Sequence, residues 1–323
     1  MRAFTFDFDV DDAPCSHSDI EEKGKEESYP SVRNLEIHQE EKGARVEWTS
    51  GSFDYAAIPF SLVRVPQSTS SADTEEHCVV DSKSIRFQVV DTSDPKVLEK
   101  AESMQTILIS SDINTNIDLI MNIGGFKIWE CSLDLVAYLN EIVSKGYVIP
   151  SHVMELGCGH GLPGIYALKN GAERVTFTDY NREVLSLITI PNLVKNMRLP
   201  IEQLRDRVSL YAGSWESVTK YIRDNEQQCR TRYQADLILS AETLYTENVT
   251  SDLYQMIKRH LQVSNPKAIA LVASKRYYFG TGGSVKHFLD LVNNDNANLE
   301  AKVVWCADNH RSNIREIVRV KAK

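Results

Sequence analysis

The chain of 323 residues contains no apolar run approaching the about 18 to 20 consecutive residues needed to span a bilayer; one of its longest, Ala268 to Ala273, is six residues long. A transmembrane helix is therefore not expected. The N-terminus, MRAFTFDFDVDDAP, places carboxylates where a secretory or mitochondrial presequence needs basic residues, so neither secretion nor import is expected. Cysteine is sparse. Cys15, Cys78, Cys131, Cys158, Cys229 and Cys306 form no Cys-x-x-Cys pair and no metal-ligand spacing, which argues against a disulfide framework or a zinc site. Reduced thiols in the cytoplasm or nucleus are the expectation. Positive charge is also scarce at one end. Residues 1 to 120 carry 24 acidic and 11 basic side chains, a balance of −13, against +4 for the remainder, and the total is −9. A difference of this size is ordinary solvated surface, and no nucleic-acid motif accompanies it.

Residues 1 to 30 hold nine carboxylates and show no sustained periodicity, which predicts a disordered acidic tail. From Ser31 to about Asn122 two β-like pieces, Ala44 to Thr49 and Ser84 to Val90, stand among loops and predict a partly ordered leader. From residue 123 onward, strand-like runs at His152 to Leu156, Arg174 to Thr178, Val208 to Tyr211, Asp236 to Ser240 and Ala268 to Ala273 alternate with amphipathic stretches. The clearest of those are Ser132 to Val143, Leu162 to Lys169 and Ser251 to Leu261. The pattern predicts a doubly wound α/β domain with a mostly parallel sheet of seven strands. AKVVWCAD and REIVRVKAK, separated only by a turn, predict an antiparallel pair that inserts one reversed strand near the C-terminus. Nothing marks an oligomer, and a monomer is expected.

The segment HVMELGCGHGLPGIYALKNG places glycines at 157, 159 and 161 between a strand ending near Glu155 and a helix starting near Leu162. Glycines there let the backbone turn sharply and approach a ligand. Gly159 to Gly164 also satisfies G-x-G-x-x-G, so the motif alone leaves a dinucleotide open. Glu155 favours S-adenosylmethionine: a carboxylate can face that cofactor's cationic amino group, whereas beside a pyrophosphate it would repel. Asp179, closing the next strand 24 residues later, has the offset of an acid that grips ribose hydroxyls, although a helix cap would also explain it. Gly213, Ser214 and Trp215 follow the third strand and Ser240, Ala241 and Glu242 the fourth, all at the carboxyl edge where open α/β sheets bind ligands. Trp215 can flank an adenine or serve as core. His160, within the glycine loop and without a second ligand nearby, reads as a loop side chain over the cofactor rather than a metal ligand.

Taken with GGFKIWECSLDLVAYL at 124 to 139, MELGCGHGLPGI, TDYN, AGSW, SAETLY at 240 to 245 and VASKRYYFGTGGS at 272 to 284, the sequence resembles the protein-histidine N-methyltransferases that modify large-subunit ribosomal protein three. The likeness covers nearly all of residues 120 to 323. It implies S-adenosylmethionine as cofactor and a large-subunit ribosomal protein as substrate. It further implies that Ile128, Trp129, Glu130, Cys131 and Ser132 line the cofactor from the segment before the first strand. Gly157, Asp179, Tyr180, Asn181, Gly213, Ser214, Trp215 and Ser240 would line it from the strand ends.

Methyl transfer from a sulfonium needs nucleophile, carbon and sulfur nearly in line. A histidine, mostly neutral at pH 7, needs no strong base before attack, whereas a lysine must first lose a proton. Glu242 and Tyr245, within SAETLY, are the residues placed to orient an acceptor, and either could instead complete a structural network. Tyr277, Tyr278 and Phe279 could form an aromatic wall for a flat ring or pack at a strand end. Two rival readings are lysine methylation by a sister enzyme and a binding protein that chaperones a basic partner. A nicotinamide oxidoreductase is the third.

Overall fold

The computed structural model describes residues 43–46, 48, 58–65, 84–97, 99, 124–225, 234–307 and 313–323. The acidic tail and most of the leader lie outside the described residues.

Near the N-terminus, β1 (Ala44–Arg45) is a two-residue edge strand, and β2 (Phe60–Arg64) pairs antiparallel with β3 (Arg86–Val90) as a separate hairpin. α1 (Glu130–Ser144) follows, buries Leu135, Val136 and Leu139 along one stripe, and leads into β4 (His152–Leu156). α2 (Leu162–Lys169) and β5 (Arg174–Asp179) come next. A helical segment then runs through α3 (Arg182–Val184), a π turn (Leu185–Thr189) and α4 (Ile190–Met197). Pro191 has no N–H to offer the preceding turn, and the wider π turn directly before it gives its ring room. α5 (Ile201–Arg207), β6 (Val208–Ala212), α6 (Trp215–Asn225), β7 (Leu237–Ala241), α7 (Glu247–His260) and β8 (Ile269–Lys275) continue the alternation. α8 (Val285–Asn294), β9 (Leu299–Ala307) and β10 (Arg315–Ala322) complete it.

The sheet order is β1-β6-β5-β4-β7-β8-β10-β9. β4 to β8 are mutually parallel, and β10 lies antiparallel between β8 and β9, which is the reversed strand expected from the C-terminal pair. The seven strands of the domain are therefore joined by an eighth from the leader, β1, antiparallel on the β6 edge. Every residue of β4 is buried, as a parallel strand covered on both faces requires. Side chains alternate between two apolar layers. Val153, Phe177, Leu210 and Leu239 pack with Leu135, Leu139 and Ile165 on one face. Met154, Leu156, Ile238 and Val272 pack with Leu253, Ile257 and Phe288 on the other. Each fully buried Leu or Phe contributes about 2 kcal/mol, so this double layer fixes the sheet edge on which the site is built.

The β2–β3 hairpin docks through side-chain amides that act as a neighbouring strand. Asn196 accepts from the Gln88 N–H at 3.0 Å and donates to the Gln88 carbonyl at 2.6 Å, while Asn192 accepts from the Val90 N–H at 2.8 Å. No helix among the described residues is long and apolar enough to cross a membrane.

Candidate functional site

The chain runs outward from β4 to β5 and β6, then returns to β7 on the other side of β4, so the carboxyl ends of β4 and β7 diverge at a topological switch point. Crevices at such points hold ligands.

The loop after β4 is built from left-handed glycines. Gly157, Gly159 and Gly161 have φ of 65°, 49° and 69°, a region closed at low cost only to glycine. At Gly159 the backbone lies against Gly125, whose Cα would be 3.4 Å from an added Cβ. The Gly161 N–H closes a turn on the Cys158 carbonyl at 2.7 Å, and Thr189 Oγ1 donates to the Gly159 carbonyl at 2.7 Å. Gly157 faces the cleft between Thr243 and Trp215.

Asp179 closes β5 beside this loop. Its Oδ2 accepts from the Gly159 N–H at 3.0 Å and its Oδ1 from the Asn181 N–H at 3.1 Å. Burial pushes its pKa up to about 6, against the lowering influence of those amides. A carboxylate has about four lone-pair sites, so acceptor capacity remains on both oxygens. Asn181 Oδ1 is buried with no hydrogen-bond partner. An acid with spare acceptor sites and an orphaned amide oxygen at a glycine-walled crevice fit the ribose and adenine of S-adenosylmethionine, whose donors would satisfy them. Trp215, half-buried at the start of α6, and Tyr180 stand at the same edge.

Several expected lining residues have other engagements. Glu155 is fully buried and its Oε2 accepts from the Gly164 N–H at 2.8 Å, so it braces the start of α2, and burial raises its pKa well above the usual range. The Ser214 hydroxyl accepts from the Ser217 N–H at 3.2 Å and caps α6. Ser240 donates to the Leu156 carbonyl at 2.9 Å and pairs with Thr243 at 2.7 Å, tying β7 to β4. Ser132 donates to the Trp129 carbonyl at 2.7 Å. Glu130 is exposed and paired with Arg315 at 3.4 Å. These side chains position the walls. Ile128 packs on the apolar layer of α1, and Gly213 donates its N–H to the Asp179 carbonyl at 3.1 Å. Trp129 remains at the cleft, its Nε1 donating to the Gly124 carbonyl at 3.0 Å, with the Lys127 and Lys275 ammonium groups 4.9 and 5.4 Å from its ring.

His160 does not stand over the cofactor. It is buried beneath the loop, with Nε2 2.9 Å from the Phe126 carbonyl oxygen and Nδ1 3.2 Å from Asn192 Nδ2. Those partners define an Nε2–H tautomer, and burial lowers its pKa to about 4. The chain from Val90 through Asn192 and His160 to Phe126 ties the leader hairpin to the segment before α1.

Glu242 and Tyr245 separate. Glu242 follows β7 with φ of 58°, an L residue in the left-handed region at a cost of about 1 to 2 kcal/mol. Its buried carboxylate accepts from Tyr278 Oη, and its Oε1 lies 3.9 Å from Lys275 Nζ. The pKa of the buried Cys131 thiol is raised by burial and then by the Glu242 charge. Tyr245 is 45% exposed, and its pKa is raised first by burial and then by the charges of Asp179 and Tyr180. The aromatic triplet splits as well. Tyr278 turns inward to Glu242 and Ser274, whereas Tyr277 and Phe279 are 52% and 85% exposed. Sequence reasoning missed Lys275 and the inward turn of Tyr278, since spacing cannot show which of three successive aromatics a hairpin turns in. Among the described residues no group of three His, Cys, Asp or Glu side chains is gathered for a metal ion.

The fold and this cleft are those of the S-adenosylmethionine-dependent methyltransferases. A family model described as lysine methyltransferase matches residues 110–295, over half of the chain, and the chain belongs to that family. It is similar to a Dictyostelium discoideum protein named histidine protein methyltransferase 1 homolog, with 39% identity over 208 residues covering 64% of this chain and 61% of that protein. A Bos taurus protein of the same name is 34% identical over 209 residues, covering 58% and 54%. The Saccharomyces cerevisiae histidine protein methyltransferase 1 is 29% identical over 223 residues, covering 54% and 58%. These matches bear out the resemblance drawn from the motifs. The chain spans about three-fifths or less of the length of each of these relatives.

Proposed function

We propose that this chain transfers a methyl group from S-adenosylmethionine to an imidazole nitrogen of a histidine in another protein, with a large-subunit ribosomal protein as substrate, in the cytoplasm and nucleus. The observation that carries the reading is Glu242: a strained, buried carboxylate at the switch point, with one oxygen held by Tyr278 and the other without a hydrogen bond. Strain of this kind persists where the surroundings over-determine it and gathers at functional sites.

When bound, S-adenosylmethionine supplies a methyl group activated by a sulfonium. Asp179 and Asn181 hold the nucleoside end, and the Gly157 to Gly161 loop lets the backbone approach it. Trp129 and Trp215 wall the crevice against water. On the acceptor side Glu242 takes an N–H of the ring and fixes its tautomer. A histidine of ordinary pKa is neutral at pH 7 and carries its own lone pair, so orientation suffices.

Support for histidine comes from the names of the curated relatives; the family description, lysine methyltransferase, supports the second reading, transfer to a lysine amine. Incubation with methyl-labelled S-adenosylmethionine and separated ribosomal proteins, followed by hydrolysis and amino-acid analysis, decides between them. Labelled methylhistidine from a large-subunit protein is expected. Methyllysine would move the assignment to the second reading, and label in no protein would overturn both.

A further inference from the structure

The surroundings of Glu242 are asymmetric. Oε2 is fixed by the Tyr278 hydroxyl, which is itself 3.0 Å from Ser274 Oγ. Oε1 is buried and has no hydrogen bond, although Lys275 Nζ stands 3.9 Å away. The ammonium is held over the faces of Trp129 and Tyr278, 5.4 and 5.9 Å from their ring centroids. The Glu242 N–H continues the β7 to β8 pairing by bonding the Ala273 carbonyl at 2.9 Å, which fixes the backbone from which the side chain projects, and the Tyr278 hydroxyl fixes the carboxylate.

We propose that Tyr278, backed by Ser274 and Lys275, is a positioning residue that aims the second oxygen of Glu242, the one without a hydrogen bond, at one particular N–H of the acceptor imidazole, and so selects which ring nitrogen is methylated. The inference rests on the histidine reading above. A neutral imidazole has one N–H and one lone pair. With the N–H donated to Oε1, only the other nitrogen can attack. That nitrogen forms its bond to the methyl carbon as the carbon–sulfur bond breaks, and the bonding pair stays on sulfur as a neutral thioether. The positive charge passes to the ring as an imidazolium beside the Glu242 carboxylate, and its N–H proton then leaves to that carboxylate or to water. If the oxygen is free to swing, either tautomer can be bound and the second nitrogen also reacts.

The test uses the full chain, large ribosomal subunit proteins and labelled S-adenosylmethionine, with the two N-methylhistidine isomers separated after hydrolysis. The wild type is expected to give one isomer. Tyr278→Phe, which keeps the ring and removes the donor, and Glu242→Gln are expected to slow transfer about tenfold. They should also produce the second isomer at about a tenth or more of the product, with cofactor affinity by calorimetry unchanged. A merely structural role would slow transfer and leave the isomer unchanged, and that result, or unchanged kinetics, would overturn the inference. A wild type that itself yields both isomers overturns this inference alone, whereas a wild type that yields methyllysine overturns the histidine reading as well. Should Tyr278→Phe fail to fold, Lys275→Met decides by the same isomer ratio.

Discussion

Protonating Asp179 should cost cofactor affinity in a defined pH range. Its carboxyl is buried and its pKa is raised to about 6. Ribose hydroxyls donate to the ionised form, so binding is linked to loss of a proton. The sign follows: affinity rises with pH through about 6 and levels off above it. At about pH 5 only about a tenth of the unliganded protein carries the ionised acid, so the dissociation constant should be about tenfold weaker than at about pH 7.5, or ~1.4 kcal/mol. The amino group of the cofactor stays protonated over most of this range, its reference pKa being about 7.7 to 8.0. Titration calorimetry with S-adenosylhomocysteine checks this directly, and repeating it at about pH 6 in two buffers of different ionisation enthalpy should show about half a proton released. Asp179→Asn should abolish the pH dependence and weaken binding about ten- to a hundredfold at neutral pH, the value of hydrogen bonds to a charged acceptor. An affinity flat from about pH 5 to 7.5 in the wild type would refute the assignment of Asp179 to the ribose.

His160 gives a second pH effect of opposite origin. Its folded pKa of about 4 lies below the unfolded reference of about 6.5, so its neutral network stabilises the fold above that reference and the contribution is lost as pH falls toward 4, by up to about 3 kcal/mol. Chemical denaturation should show the advantage of wild type over His160→Gln shrinking as pH falls from about 7 to about 4. Gly164→Ala would place a Cβ 2.4 Å from Phe177 Cε1 and 2.6 Å from Glu155 Oε2, and should cost about 1 to 3 kcal/mol, seen as a melting temperature lower by several degrees. Phe279→Ala removes an exposed ring from the segment after β8 and should leave the melting temperature unchanged; if that segment meets the protein substrate, KM for it should rise several-fold.

The parallel strands were legible because each is buried on both faces and so is predominantly apolar, with the polar residues His152, Glu155, Thr176, Thr178 and Asp179 among the exceptions. His152 to Leu156 and helix Leu162 to Lys169 agree at both ends, and the reversed strand followed from the short link between the last two. The helical segment after β5 was not legible. Its Leu185 to Met197 run is apolar on several sides, is interrupted by Pro191, and needs a π turn that no periodicity announces. α6 and α8 passed unnoticed, and β2 lacked a matching signal where Ser84 to Val90 had one. In the site, the left-handed turns at Gly157 and Gly159 could be read because that backbone conformation restricts the residue type, and the place of Asp179 because it closes a legible strand. Ser214, Ser240 and Glu130 could not, since a polar side chain at a strand or helix end looks the same whether it meets a ligand, caps a helix or pairs with an arginine. The separation of Glu242 from Tyr245 depends on one left-handed residue, which carries no mark in the sequence.

A crystal structure of the full chain with S-adenosylhomocysteine would show the cleft occupied. Ribose hydroxyls are expected within about 3 Å of the Asp179 carboxylate, with the nucleoside between the glycine loop and Trp215 and the sulfur directed toward the Glu242 side of the cleft. A nucleoside bound away from Asp179, or a sulfur directed away from Glu242 with no open path between them, would contradict the function proposed for this cleft.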